Sequence, residues 1–132
     1  PECQTILPKL KTDLVEVFLA CCNRNLNHIQ LDWTNKKSLC VVVCSNGYPD
    51  EFKKNIEIEN LKSVKLDEYN HLFHAGTTQK DEKIFAIGGR VLNFVSLSND
   101  FSDAKTKIMQ NLDKLKWSGG FYRKDIGYKV TE

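Results

Sequence analysis

The sequence has no long apolar run, no excess of either charge, no internal repeat and no low-complexity tract. No apolar stretch approaches the roughly 18 to 20 residues that a membrane span needs. The opening residues, PECQT, carry neither a basic n-region nor an apolar h-region, so no signal peptide is read there. Basic and acidic residues nearly balance, 19 against 17 for a formal charge of +2. That balance argues against a dedicated nucleic-acid binder, which concentrates basic charge on one face. Catalytic constellations are missing too. There is no Ser-His-Asp order, no Walker-type glycine loop and no pair of carboxylates in an apolar frame. As a self-sufficient catalyst the chain is poorly equipped. It also lacks a starting methionine and is expected to be a piece of something longer.

What is present can build a core. Apolar residues make up 41% of the 132, and aromatics 10%, enough for one domain or one domain plus a fragment of another. Five cysteines, two of them adjacent, do not suggest a disulfide scaffold; reduced, mostly buried thiols in a cytosolic setting are expected. Cys40 and Cys44 fall on one face of an expected strand, roughly 13 Å apart by the strand rise, too far to share a metal. The stretch DLVEVFLACC spaces Leu14, Val15, Phe18, Leu19 and Cys22 for one helical face. Extended runs are expected at SLCVVVCS, IEIEN, HLFHAGT and on both sides of Gly88-Gly89. From Asp100 to Leu115 the period changes to that of a helix. This order predicts an α+β fold, mainly an antiparallel sheet with one packed helix.

Three stretches could carry chemistry. GFYRKDIGY places Arg123, Lys124 and Asp125 among aromatics that could dock a terminal strand. One cation there can pair with Asp125 while the other faces a ligand; a docked strand with solvated charges is the plainer alternative. In FAIGGRVL, Gly88 and Gly89 mark a special backbone or a close approach. Arg90 follows with a planar fork suited to phosphate or carboxylate. A hairpin turn with a solvated arginine explains the same residues. In HLFHAGT, His71 and His74 lie on opposite strand faces, which speaks against a shared metal. His74 and Thr77 are either substrate-hydroxyl contacts or a polar strand end.

Taken together, PECQTILPKLKTDLVEVFLACC, SNGYPDEF, HAGT, GGRVLNFVSLS and AKTKIMQNLDKLKWSGGFYRKDIGY resemble, in order and spacing, the carboxy-terminal part of the phosphoribosylamine–glycine ligase family of ATP-grasp enzymes. The resemblance covers nearly the whole chain and is weakest at about 26–37 and 52–70. It implies that residues 1–25 end an ATP-grasp domain, 26–36 form a linker and 37–132 form the family's carboxy-terminal domain. It also implies a cytoplasmic purine-biosynthetic ligase that uses ATP and Mg2+ (or Mn2+), with the ligands for both upstream of Pro1. Partners would be the amino-terminal remainder of the enzyme and the small molecules phosphoribosylamine and glycine. Arg123, Lys124 and Arg90 would meet the substrate phosphate, with Gly88 and Gly89 permitting the approach. Asp125, His74, Thr77 and Lys11 would be neighbours of that site; no catalytic residue and no metal ligand is expected within the chain. Two departures from the family pattern touch turn and strand chemistry: SNGYPDE lacks a glycine after Tyr-Pro, and FVSLSND replaces a more usual VTALG. A stand-alone, non-catalytic module that holds a sugar phosphate or assembles with another protein is the alternative.

Overall fold

The run SLCVVVCS becomes β1 (Lys37–Ser45), and its alternation sorts the side chains onto two faces. In the computed structural model, which describes residues 1–131, Leu39, Val41 and Val43 are buried on one face of β1. Cys40, Val42 and Cys44 are half-buried on the other. β1 pairs antiparallel with β6 (Arg90–Ser98), which pairs in turn with β3 (Asn70–His74); β7 (Gly120–Phe121) flanks β1 on the far side. From Val91 to Ser98 every residue of β6 is buried. A strand with neighbours on both edges and helices over both faces has no solvated side to hold polar alternation.

One of those helices is α3 (Phe101–Leu112). Asp100 caps it, its carboxylate accepting from the Asp103 N–H at 2.7 Å. Ala104, Ile108 and Leu112 then pack with Val41, Phe94 and Leu92 into the core. Asn111, on the same face, bonds both backbone groups of Lys65 at 3.0 Å and pins the loop before β3 to the helix. The opposite face of the sheet carries α1 (Glu2–Ile6), which leads through a 3-10 turn (Leu7–Lys9) to α2 (Leu14–Cys22). A second sheet of β2 (Ile56–Glu57), β5 (Lys83–Ala86) and β4 (Thr77–Lys80), in the order β2-β5-β4, closes the core through Ala86.

The α+β architecture with antiparallel pairing and a packed late helix is thus as expected. Three details differ. The strands form two sheets, because Gly76 and Gly88 let the chain cross itself where β3 gives way to β4 and β5 to β6. The tail is a strand for only two residues; it turns at Lys124–Gly127 and ends in a single helical turn, α4 (Tyr128–Thr131). The thiols are not mostly buried: Cys3, Cys21 and Cys22 are exposed and Cys40 and Cys44 half-buried. The helix that carries Cys21 and Cys22 has its apolar face open.

Candidate functional site

The site grows from a knot of three loops at one end of the large sheet. Ser45, the last residue of β1, donates through its backbone N–H to the Gly89 carbonyl and through Oγ to the Gly88 carbonyl, both at 2.8 Å. Asn46 binds the third loop, its N–H donating to Gly119 at 2.8 Å and its Nδ2 to Ser118 at 3.0 Å. The glycines make the knot possible. A Cβ on Gly76 would stand 2.6 Å from the Gly88 Cα, and one on Gly89 would stand 2.2 Å from the Tyr48 ring. Both glycines of Gly88-Gly89 are therefore accounted for by close approach of the chain to itself.

Two clefts open on the α1 side of this knot, separated by Tyr48. The first, about 410 Å³, is polar and is lined by Gln4, Tyr48, Ala75, Gly89, Arg90 and Asn93. Arg90 is exposed and, among the described residues, has no carboxylate within ion-pair distance. Its charge is felt by Glu2, whose carboxyl lies below its ordinary value chiefly through backbone hydrogen bonding, with Arg90 contributing least. The second cleft is largely apolar, lined by Val42, Cys44, Tyr122 and Ile126 with Arg123 at its edge. Burial pushes the thiols of Cys40 and Cys44 up, so they stay protonated and serve as apolar lining.

Arg123 is already engaged. Its Nε donates to Asp125 Oδ1 at 3.0 Å and its second nitrogen to Oδ2 at 2.5 Å, a bidentate pair. The pairing raises the guanidinium and holds the Asp125 carboxyl below its usual value. Both groups are exposed, so the pair orients the tail more than it stabilises the fold. Lys124 is exposed in the following turn and lines neither cleft. His74 Nδ1 and Thr77 Oγ1 bond each other at 3.0 Å across the loop whose Ala75 lines the polar cleft. Lys11 lies 3.5 Å from Asp32 in the amino-terminal segment and lines neither cleft. The start of α2 is closed by Asp13, which accepts from the Val15 N–H at 2.7 Å.

The structure thus puts Gly89 and Arg90 in the lining of one cleft, beside Ala75 of the His74–Thr77 loop, and Arg123 in the lining of the neighbouring one; Gly88, His74, Thr77, Lys124, Asp125 and Lys11 line neither. Sequence reasoning missed Tyr48, Gln4 and Asn93. Asn93 had a signal, an amide inside the apolar run RVLNFVSLS; Gln4 and Tyr48 had none. Among the described residues no three His, Cys, Asp or Glu side chains gather to hold a metal ion. No helix among them is long and apolar enough to cross a membrane.

The class the fold defines is an α+β domain whose glycine-knotted loops set Arg90 in the lining of a polar cleft. Residues 38–129 match the family described as phosphoribosylglycinamide synthetase, C domain, and the chain belongs to that family. It is 42% identical over 126 residues to a phosphoribosylamine–glycine ligase of Caldanaerobacter subterraneus, covering 96% of this chain and 30% of the relative. It is 37% identical over 132 residues to the chloroplastic phosphoribosylamine–glycine ligase of Arabidopsis thaliana, covering 98% of this chain and 25% of that protein. The crystal structure of the phosphoribosylamine–glycine ligase from Thermotoga maritima superposes with a TM-score of 0.62 at 28% identity, over 85% of this chain and 28% of that one. The chain therefore spans under a third of the length of the relatives it matches.

Proposed function

We propose that this chain is the carboxy-terminal part of a cytoplasmic phosphoribosylamine–glycine ligase of purine biosynthesis. The complete enzyme would activate glycine with ATP as glycyl phosphate, which the amine of phosphoribosylamine attacks to give glycinamide ribonucleotide, ADP and phosphate. ATP and Mg2+ (or Mn2+) would be held by the ATP-grasp region that makes up the remainder of the enzyme. Residues 1–25 would complete that region, 26–36 would link it to the domain, and the remainder of the enzyme would be the principal partner. The observation that carries this reading is the match of relatives bearing that name along 96% or more of the chain.

Within this reading the chain's own task is to bind and orient the ribosyl phosphate. Arg90 is the natural anchor, since its fork is unpaired and stands in the polar cleft. Arg123 would turn from Asp125 towards the phosphate or balance it from the side, and Lys124 would add charge. In the complete enzyme, Arg90→Ala is expected to raise the KM for phosphoribosylamine at least tenfold, with Arg123→Ala weaker, while the KM values for ATP and glycine stay within about twofold. Steady-state kinetics with each substrate varied in turn checks this; equal losses for all three would assign the arginines a structural role. The stand-alone module is disfavoured by the open apolar face of α2, which a self-sufficient domain would cover.

A further inference from the structure

Asn93 occupies an odd place. It lies in the middle of β6, only 5% exposed, opposite Val42 on one side and Phe73 on the other. Its amide makes no hydrogen bond to any described residue, while the other buried polar side chains of β6, Ser96 and Ser98, bond Asn70 and Asp103. It does not belong to the fully enclosed unsatisfied groups either, because its end opens into the polar cleft beside Arg90. An unpartnered amide among apolar neighbours costs stability that a valine or leucine would not. Such a group is poised to be satisfied from the cleft.

We propose that Asn93 is a specificity-determining residue that reads a hydrogen-bond donor on an anionic ligand anchored by Arg90. This rests on the anion-binding reading of the cleft given above. The chemistry of the amide narrows the ligand. Its NH2 donates and its carbonyl accepts, so it is matched by a group that does both, such as a hydroxyl or an amine. An inorganic phosphate held on Arg90 is too short to reach along the strand and leaves the Asn93 amide unmatched. Arg90 and Asn93 are three residues apart on one strand, roughly 10 Å along the backbone, and the arginine side chain can close part of that gap. The span suits a phosphorylated sugar, phosphate on Arg90 and a ring hydroxyl on Asn93, better than an isolated oxyanion.

The test uses the chain itself, with ribose 5-phosphate and inorganic phosphate as probes and dissociation constants from NMR titration. The wild-type chain is expected to prefer ribose 5-phosphate by roughly tenfold, the worth of one buried hydrogen bond. The Asn93 side-chain amide resonance should move with ribose 5-phosphate and stay still with inorganic phosphate. Asn93→Leu should erase the preference, leave inorganic phosphate binding within about twofold, and match or exceed the wild-type melting temperature. Arg90→Met should weaken both ligands. A preference that survives Asn93→Leu, or an Asn93 amide that ignores ribose 5-phosphate while Arg90 responds, overturns the role of Asn93 and leaves the anion site standing. If Arg90→Met weakens neither ligand, or neither binds, the anion site falls and the role of Asn93 falls with it. The wild-type resonance keeps the proposal falsifiable should Asn93→Leu fail to fold.

Discussion

Two helices of this molecule use the same device and reach opposite ends. α3 is capped by Asp100 and buries Ala104, Ile108 and Leu112 against the large sheet. α2 is capped as well by Asp13, yet Val15, Phe18 and Leu19 on its apolar side are 57–62% exposed and only Ala20 is buried. The contrast extends beyond the helices. Ile6, Leu7, Leu26, Leu31 and Trp33 are also exposed, whereas apart from Ala20 the buried apolar residues all lie from Leu39 onward. A capped apolar stripe says that a face is to be covered; it does not say that the cover lies in the same chain. On the function proposed here, the cover of residues 1–33 is the rest of the ligase.

Phe94→Ala, which empties a site 1% exposed, should destabilise the chain by about 3–5 kcal/mol. Phe18→Ala should stay within about 0.5 kcal/mol, as surface changes do. Urea denaturation of both variants measures the difference, and comparable losses would mean that α2 is integrated into the core after all. A smaller contrast lies in the caps. Asp100→Ala should cost about 1 kcal/mol of global stability. Asp13→Ala should lower the helicity of α2 without moving the main unfolding transition, which circular dichroism and chemical denaturation report separately.

What the sequence revealed divides along physical lines. β1 and α3 were legible because burial imposes a period on them, and β6 because a short, largely apolar run bounded by turn residues reads as a buried strand. β4 was not: Thr77, Thr78, Gln79 and Lys80 are polar and half-solvated, so their strand comes from pairing with β5. The turn between the two strands hid as well. Asp81 and Glu82 both adopt positive φ, 47° and 64°, in a place where Asn-Gly would have announced a hairpin. Of the candidate site, the cations and glycines were visible as motifs and the Arg123–Asp125 pairing follows from their adjacency. The roles of Gly88 and Gly89 were not, since their partners Gly76 and Tyr48 are remote in sequence. Gln4 and Tyr48 reach the cleft only through tertiary packing.

The smallest expected effect concerns the tail. Arg123 depresses the Asp125 carboxyl, so the pair's contribution is complete above the unfolded-state value near pH 4 and is lost as pH falls through the lower folded value. An NMR titration should find Asp125 titrating below an ordinary aspartate, with Arg123→Gln returning it to normal. Loosening of the 122–131 segment should appear only in that acid window. An unshifted Asp125 would break the picture of a tail oriented by this pair.

The central question is whether the apolar face of residues 1–33 is covered by a domain outside this chain. Amide hydrogen exchange on the chain alone and on the complete ligase tests it most directly. The prediction is that α2 amides of the chain alone exchange within about tenfold of an unfolded peptide while those of α3 are protected to the global limit, and that both helices are protected in the complete enzyme. Protection of α2 equal to that of α3 in the chain alone would contradict it.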